Sequence, residues 1–381
     1  MIYLDNSATT KLDEPILDAM LPWLRDHYGN ASSVYSIGRR ARVAIEDARE
    51  EIASLIGAHP AELIFTSGGT ESNNTVLHSA CVESQLARSV CYSAIEHHAV
   101  IHPSEQLAKL GISTTVLPVD SQGIIDLNAA QELLLNSPKN SLISVMHANN
   151  ETGMIQPIAR LRALSSSAYL HTDAVQSFGK IPFDVMDLPI DFASFSAHKI
   201  HGPKGVGALF IRKGIDFKAH QHGGGQERNR RAGTESPALI VGFQVAARLA
   251  VKEMKERAEI MASRIALLRE LLSSTISNIR INTLIEQSLP NILNISFLDA
   301  EKLDGESILQ SLDIQGIAAS NGSACVSGSL QPSHVLSAMG LPAAEARAAV
   351  RFSVSKDTTE DEIRTTAQVL AEIMNSLRNN G

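Results

Sequence analysis

Leu63-Ile64-Phe65-Thr66-Ser67-Gly68-Gly69-Thr70 is a short apolar run, then a pair of glycines, then the polar start of a helical segment. Strand, glycine turn, helix is the unit that decides the fold class. Upstream, Ala41, Ile45, Ala48, Ile52 and Leu55 recur at helical spacing between about 39 and 56, and Gly57 supplies a stop. Downstream, apolar runs at 90–92, 115–118, 142–146, 168–172, 192–196 and 207–211 are mostly separated by stretches of helix length. Strands alternating with helices imply an α/β fold with a mostly parallel sheet covered on both faces.

Ser236-Pro237 supplies a cap and a first helical position for a stretch rich in Ala, Leu, Glu, Lys and Met that continues to about Ser273. It is expected to link two domains. Beyond it the pattern gives a strand at 292–297, a helix at 306–312, a strand at 351–354 and a final helix opened by Thr359 and Glu362 at capping-box spacing. The expected division is a large domain over 15–250 and a smaller α+β domain from 1–14 and 251–381, the latter carrying the Cys325 loop.

With 381 residues the chain exceeds what one compact core usually fills. Acidic residues outnumber basic ones 41 to 33 and the basic residues form no long block, which argues against nucleic acid or an anionic membrane as a partner. Small molecules and proteins remain. Met1-Ile2-Tyr3-Leu4-Asp5-Asn6 shows neither a basic leader nor an apolar signal stretch, so a cytoplasmic location is expected. Between Asp313 and Glu345 there is no Asp, Glu, Lys or Arg, yet Ser, Gly, Gln and Pro rule out a spanning helix. That run is expected to be mobile and exposed. Cys81, Cys91 and Cys325 are odd in number and lack metal-ligand spacing, so neither a disulfide framework nor a bound metal is expected.

The segment Ser194-Phe195-Ser196-Ala197-His198-Lys199-Ile200-His201-Gly202-Pro203-Lys204-Gly205 carries the most chemistry. A lysine just after a buried strand, among small and hydroxyl residues, suits an amine that must approach a cofactor aldehyde. Alone it reads equally as a solvated surface lysine. Asp173, at the carboxyl end of the preceding run, sits where α/β folds place ligands, although it also reads as a helix N-cap. Ser67-Gly68-Gly69-Thr70 offers backbone N–H groups to a phosphate. His97 follows a strand, where a lone histidine is more often structural. Cys81 and Cys91 read as small buried hydrophobes. Cys325 lies in Ser320-Asn321-Gly322-Ser323-Ala324-Cys325-Val326-Ser327-Gly328-Ser329, whose small residues bend easily and suit a thiol that moves.

Taken together, these blocks resemble the cysteine desulfurases of the NifS/IscS type, within the class V aminotransferases. The resemblance is carried by Tyr3-Leu4-Asp5-Asn6-Ser7-Ala8-Thr9-Thr10, Thr66-Ser67-Gly68-Gly69-Thr70-Glu71-Ser72-Asn73-Asn74, Glu96-His97, Asn149-Asn150-Glu151-Thr152-Gly153, Asp173-Ala174-Val175-Gln176 and Ser196-Ala197-His198-Lys199. It continues through His222-Gly223-Gly224-Gly225-Gln226-Glu227, Arg231-Ala232-Gly233-Thr234, Gly322-Ser323-Ala324-Cys325 and Arg351-Phe352-Ser353, in the same order and over nearly the whole chain. Two departures stand out. Asn30-Ala31-Ser32-Ser33-Val34-Tyr35 replaces the family's Asn-Pro-Ser-Ser and a following His, and Asn321 stands where Ser is more frequent.

The resemblance implies a pyridoxal 5'-phosphate enzyme of fold type I, aspartate-aminotransferase-like, acting as a homodimer. Lys199 would be the Schiff-base lysine and a proton-transfer base. Asp173 would bond the pyridine nitrogen, His97 would stack on the ring and is a candidate acceptor of the thiol proton, and Gln176 would touch the phenolic oxygen. Gly69, Thr70, Ser196 and His198 would hold the phosphate, with Thr234 reaching in from the other subunit. Arg351 would clamp the carboxylate of L-cysteine, assisted by Asn150. Cys325 separates this chemistry from transamination: it would take the sulfur as a persulfide, releasing L-alanine, and pass it to an acceptor protein in iron–sulfur cluster assembly, tRNA thiolation or DNA phosphorothioation.

Overall fold

The computed structural model describes residues 1–303, 305–322 and 331–380. Its centre is a seven-stranded sheet in the order Leu63–Thr66, Gly207–Ile211, Phe192–Ser196, Tyr169–Asp173, Ser141–Ser144, Ser89–Ser93, Ser113–Leu117. Only Gly207–Ile211 runs antiparallel to its neighbours. The other pairings between adjacent strands are parallel. Phe192–Ser196 and Gly207–Ile211 are buried at every position, as strands sandwiched on both faces must be. Polar atoms inside this sheet find partners across it: His171 bonds Ser144 Oγ on one neighbouring strand at 2.8 Å and Ser194 Oγ on the other at 3.0 Å. The fold is α/β with a mostly parallel sheet.

The strands match the expected runs to within one or two residues, and the helix expected over 39–56 spans Ser36–Leu55. The long helical stretch after Ser236 is two helices, Pro237–Lys252 and Met254–Thr275, parted at Glu253 (φ −100°, ψ 8°). Their burial explains the break. The first buries Ile240, Phe243, Ala246, Ala247 and Ala250 in the large cluster around the seven-stranded sheet, whereas the second turns Met261, Ile265, Leu268 and Leu272 into a different cluster. That second cluster closes on an antiparallel sheet ordered Val350–Ser353, Ile292–Phe297, Ile279–Ile281, and on the final helix, Glu360–Asn380. Leu4 belongs to it too, because Ile2–Tyr3 pairs in parallel with Ile317–Ala318. The expected capping box forms: Glu362 N–H donates to Thr359 Oγ1 (3.2 Å) and Thr359 N–H to Glu362 Oε2 (2.8 Å).

The uncharged run after Asp313 departs from its expected exposure in the described part. Val335, Leu336, Met339 and Leu341 pack with Ile95 and Met146 in a small apolar cluster, with His334–Ala338 forming a helix. Lack of charge there reflects burial. Cys325 lies outside the described residues. Cys81 and Cys91 are buried free thiols, and burial drives the Cys81 thiol up to about 12.

One buried ion pair fixes the chain leading to Arg231 and Thr234. Arg49 Nη1 and Nη2 donate to Glu227 Oε2 and Oε1 at 2.6 and 2.9 Å, with both side chains essentially inaccessible. Arg49 Nη1 also reaches the Leu63 carbonyl, and Phe65 N–H donates to Glu227 Oε2 (both 2.9 Å). Glu227 holds a left-handed backbone (φ 46°), a conformation disfavoured for a residue with a Cβ and paid back by its three side-chain bonds to Arg49 and the edge strand.

Candidate active site

Five parallel strands deliver their carboxyl ends to one edge of the sheet, where open α/β sheets place ligands. Leu63–Thr66 leads into Ser67–Thr70, Ser89–Ser93 into Glu96 and His97, and Ser141–Ser144 into Asn149 and Asn150. Tyr169–Asp173 ends on its acid, and Phe192–Ser196 runs into a single 3-10 turn, Ala197–Lys199. Between these ends and the second sheet is a cavity of about 510 Å3. Of the residues singled out from the sequence it brings together Gly69, Thr70, His97, Asn150, Asp173, Gln176, Ser196, His198, Lys199 and Arg351. Thr234 does not line it and is exposed in the single chain. Cys325 lies outside the described residues; Ser320 and Gly322, which precede it, are at the cavity wall.

Lys199 is largely buried, and its Nζ donates to the Ser7 carbonyl (2.5 Å) and the Ala8 carbonyl (2.7 Å). Burial and the nearby Arg351 cation pull its amine down to about 8, against the opposing pull of Asp173 and Asp5. Asp173 is held on both oxygens: Asn73 Nδ2 donates to Oδ2 at 2.6 Å and Val175 N–H to Oδ1 at 2.9 Å. It is thus both the strand-end acid and a local cap. Gln176 Nε2 donates to the Ser7 carbonyl at 2.9 Å.

The helix Gly69–His78 opens on the cavity, so the unpaired N–H groups of its first turn face it. A Cβ on Gly69 would sit 2.6 Å from Val175 Cγ2, and Gly68 is at φ +148°. The turn therefore requires glycine. Glu71 braces it, accepting from Ser67 N–H (2.7 Å) and pairing with Arg231 (2.7 Å), which ties the Arg231–Thr234 motif to the turn. His198 shares a 3.1 Å hydrogen bond with Thr9 Oγ1, and burial, reinforced by Lys199, pulls its ring down to about 4.

His97 is the N-cap of the helix His98–Lys109: its Nδ1 accepts from Ala99 N–H at 3.0 Å. The neutral ring therefore carries its proton on Nε2. Burial lowers its pKa, so neutral is its ordinary form. Beside it, Glu96 is wholly buried, and burial pushes its carboxyl up to about 8 although Ser93 Oγ (2.6 Å) and Met146 N–H (2.7 Å) both donate to Oε1.

Arg351, in the strand Val350–Ser353, crosses from the second sheet into the cavity. Nη2 donates to Asp5 Oδ1 (2.6 Å) and Nη1 to the Asn150 carbonyl (2.9 Å), while Nε has no partner among the described residues. Its backbone N–H donates to the Ser320 carbonyl at 2.6 Å, which fixes the start of the Cys325 loop next to the guanidinium. Glu151, also fully buried, accepts from Ser333 Oγ at 2.5 Å, and burial raises it to about 7.

Among the cavity-wall residues that had no role in the sequence reading, four make polar contacts that shape the site: Asn73, Asp5, Ser7 and Glu151. All lie within blocks that carried the resemblance. Asn73 is one turn beyond Gly69, on the face that meets Asp173, which helical spacing allows to be read once the turn is recognised.

The chain matches the family model described as aminotransferase class-V over residues 2–365. It is 46% identical over 381 residues to the cysteine desulfurase IscS of Dictyoglomus turgidum, covering 99% of this chain and 95% of that protein. The solved structure of a NifS-like protein superposes with a TM-score of 0.91 at 37% identity, covering 98% of this chain and 99% of that one. The structure of SspA in complex with cysteine superposes at 0.81 with 33% identity over 94% and 100% of the two chains. The chain belongs to the class V aminotransferase family and, within it, to the cysteine desulfurases of the NifS/IscS type.

Proposed function

We propose that this chain is a pyridoxal-phosphate-dependent cysteine desulfurase that leaves the sulfur of L-cysteine as a persulfide on Cys325 and releases L-alanine. The observation that carries this reading is the convergence of a buried amine held near 8, a doubly bonded carboxylate, a glycine-bounded helix start and a buried arginine on one cavity. These fit the cofactor: Lys199 suits its aldehyde, Asp173 its pyridine nitrogen, and Gly69, Thr70, Ser196 and His198 its phosphate. When bound, pyridoxal phosphate supplies an electron sink for charge developing at the substrate Cα.

The chain's own residues do the rest. Lys199 Nζ, nearly half neutral at pH 8, takes and returns the α-proton. Asn73 holds Asp173 in register through a charge-assisted bond. Arg351 binds the substrate carboxylate with the N–H groups that Asp5 and Asn150 leave over, and Asn150 lines the same wall. His97 would stack against the cofactor ring and offers Nε2–H; to accept the thiol proton it must first release Ala99 N–H. The Cys325 thiolate then attacks the substrate sulfur. The Cβ–S bond breaks with its electron pair going to the carbon side, an S–S bond forms, and the carbon fragment takes up a proton at Cβ and leaves as L-alanine.

The apolar side chains Leu21, Leu24, Tyr28, Val34, Tyr35 and Val43 are exposed, and they support a homodimer in which Thr234 of each chain completes the phosphate site of its partner. The two largest apolar clusters support the division into 15–250 and 1–14 with 251–381. No described helix is long and apolar enough to cross a membrane; a cytoplasmic location and a protein acceptor for the persulfide sulfur, with no nucleic-acid contact, complete the reading. Incubation with L-cysteine and a reductant should give alanine and sulfide in equal amounts, and Cys325→Ala should abolish both. Alanine absent from the parent reaction, or sulfide released by Cys325→Ala at the parent rate, sinks the proposal.

A further inference from the structure

A second lysine is buried behind the first. Lys180 is 6% exposed and forms no ion pair among the described residues. Gly179, at φ +74° and packed so that a Cβ would meet Ala250 Cβ at 2.7 Å, turns it inward. Its Nζ donates to the Gln176 carbonyl at 2.7 Å and lies 3.4 Å from Gln176 Oε1. On the other side of the same amide, Gln176 Nε2 meets the Ser7 carbonyl at 2.9 Å, the oxygen that also receives Lys199 Nζ.

These contacts settle which way round the amide sits. An amine with N–H donors on one side and a bare carbonyl on the other admit one orientation only: oxygen towards Lys180, nitrogen towards Ser7 and the cavity. The reverse would set an amide oxygen against a carbonyl oxygen and an N–H2 against an amine. We propose that Lys180 is a positioning residue for the cofactor site: by holding the Gln176 oxygen it makes Gln176 present an N–H donor, never an oxygen, to the anionic phenolic oxygen of the cofactor. Burial and the charge of Lys199 pull the Lys180 amine down to about 7, so charged and neutral forms coexist near neutrality, and both keep the donors Gln176 needs. A buried lysine without a carboxylate is otherwise a pure cost, which a methionine of similar shape would remove.

The inference rests on the proposed cofactor, and the test separates the two. Affinity of the cofactor-stripped protein for pyridoxal phosphate is measured by equilibrium dialysis, together with the visible absorption maximum of the complex. Lys180→Met should weaken affinity about five- to tenfold and shift the maximum, the scale of one oriented hydrogen bond to a charged group. In a Gln176→Ala background the same change should cost less than about twofold, since Lys180 acts through that amide. An equal loss in both backgrounds, or no loss in either, overturns the proposal; failure of the parent protein to take up pyridoxal phosphate sinks the function instead. If Lys180→Met does not fold, Lys180→Leu, which also removes the donor, takes its place, and Lys180→Gln, which keeps a donor, should hold affinity within about twofold of the parent. Neutron diffraction from the parent protein reads the amide directly, and a Gln176 nitrogen facing Lys180 would end the argument.

Discussion

The amine of Lys199 sets a measurable pH dependence. With its pKa near 8, roughly 9% of the amine is neutral at pH 7, against roughly 0.03% for an ordinary lysine, an advantage of about 300-fold in capturing an aldehyde. The assay is the rate at which the cofactor-stripped protein traps pyridoxal phosphate or a simple aromatic aldehyde, read by mass spectrometry as borohydride-fixed adduct on Lys199, between pH 6 and 10. The logarithm of that rate should climb with unit slope up to about pH 8 and then flatten. Arg351→Met removes the cation that depresses the amine and frees Asp5, which raises it, so both consequences have the same sign. The bend should move to higher pH and the rate at pH 7 should drop about tenfold. Stability gives a second reading. The folded pKa is below the unfolded one, so between about pH 8 and 10.4 the unfolded chain binds more protons, and the cofactor-free protein should gain stability as pH rises through that window. Unit slope continuing past pH 9.5 in the parent, or an unmoved bend in Arg351→Met, would refute the electrostatic account.

Three further outcomes follow from the geometry. Glu227→Gln removes the negative charge facing the buried Arg49 and turns one of the two carboxylate oxygens into an N–H2, and it should cost about 3 kcal/mol in urea unfolding, whereas an unchanged midpoint would mean that water reaches the pair. Gly69→Ala must push Val175 aside and should weaken competition by inorganic phosphate at least about tenfold with little loss of thermal stability; undiminished phosphate binding would show that the helix start is not the cradle. Nitrogen-15 NMR of labelled histidine should find the Nδ1 of His97 bare and Nε2 protonated at pH 7, and the opposite tautomer would show that the helix cap is not formed.

How far the chain could be read from its letters follows from where the determinants lie. Phe192–Ser196 and Gly207–Ile211 were legible as strands because burial on both faces leaves unbroken apolar runs. The reversed direction of Gly207–Ile211 was legible in principle: only ten residues, 197–206, separate the two strands, too few for the crossover that a parallel neighbour needs. The break at Glu253 was not, since neither Gly nor Pro marks it and the cause is two separate cores competing for the helix faces. Lys199, Asp173 and Gly69 showed as single residues at strand ends or turns. Asn73 and Asp5 were silent because each acts on a partner far along the chain, and local pattern carries no record of such contacts.

The segment Tyr3–Thr10 shows why so polar a stretch occupies the centre of the molecule. Leu4 is packed in the second apolar cluster, Asp5 holds Arg351, Asn6 Nδ2 donates to the Ser353 carbonyl at 2.8 Å and Ser7 N–H to Ser353 Oγ at 2.8 Å. From the next residues on, the partners belong to the seven-stranded sheet: the Ser7 and Ala8 carbonyls hold Lys199, and Thr10 Oγ1 accepts from His201 N–H at 2.7 Å and donates to the His198 carbonyl at 3.0 Å. One strand of chain therefore stitches the sheet that carries Arg351 to the turn that carries Lys199. Any change in the bonding of the Lys199 amine alters the carbonyls of Ser7 and Ala8, and two residues away Asp5 shares its charge with Arg351. On the proposed roles, substrate carboxylate binding at Arg351 and proton transfer at Lys199 would be coupled through this strand by contacts of 2.5–2.7 Å, so Asp5→Asn should change both the affinity for L-cysteine and the pH at which capture by Lys199 flattens. Because Asp5 raises the Lys199 amine, its removal should move that bend downwards, opposite to Arg351→Met. Bends that moved in the same direction in the two variants would show that the strand transmits displacement rather than charge.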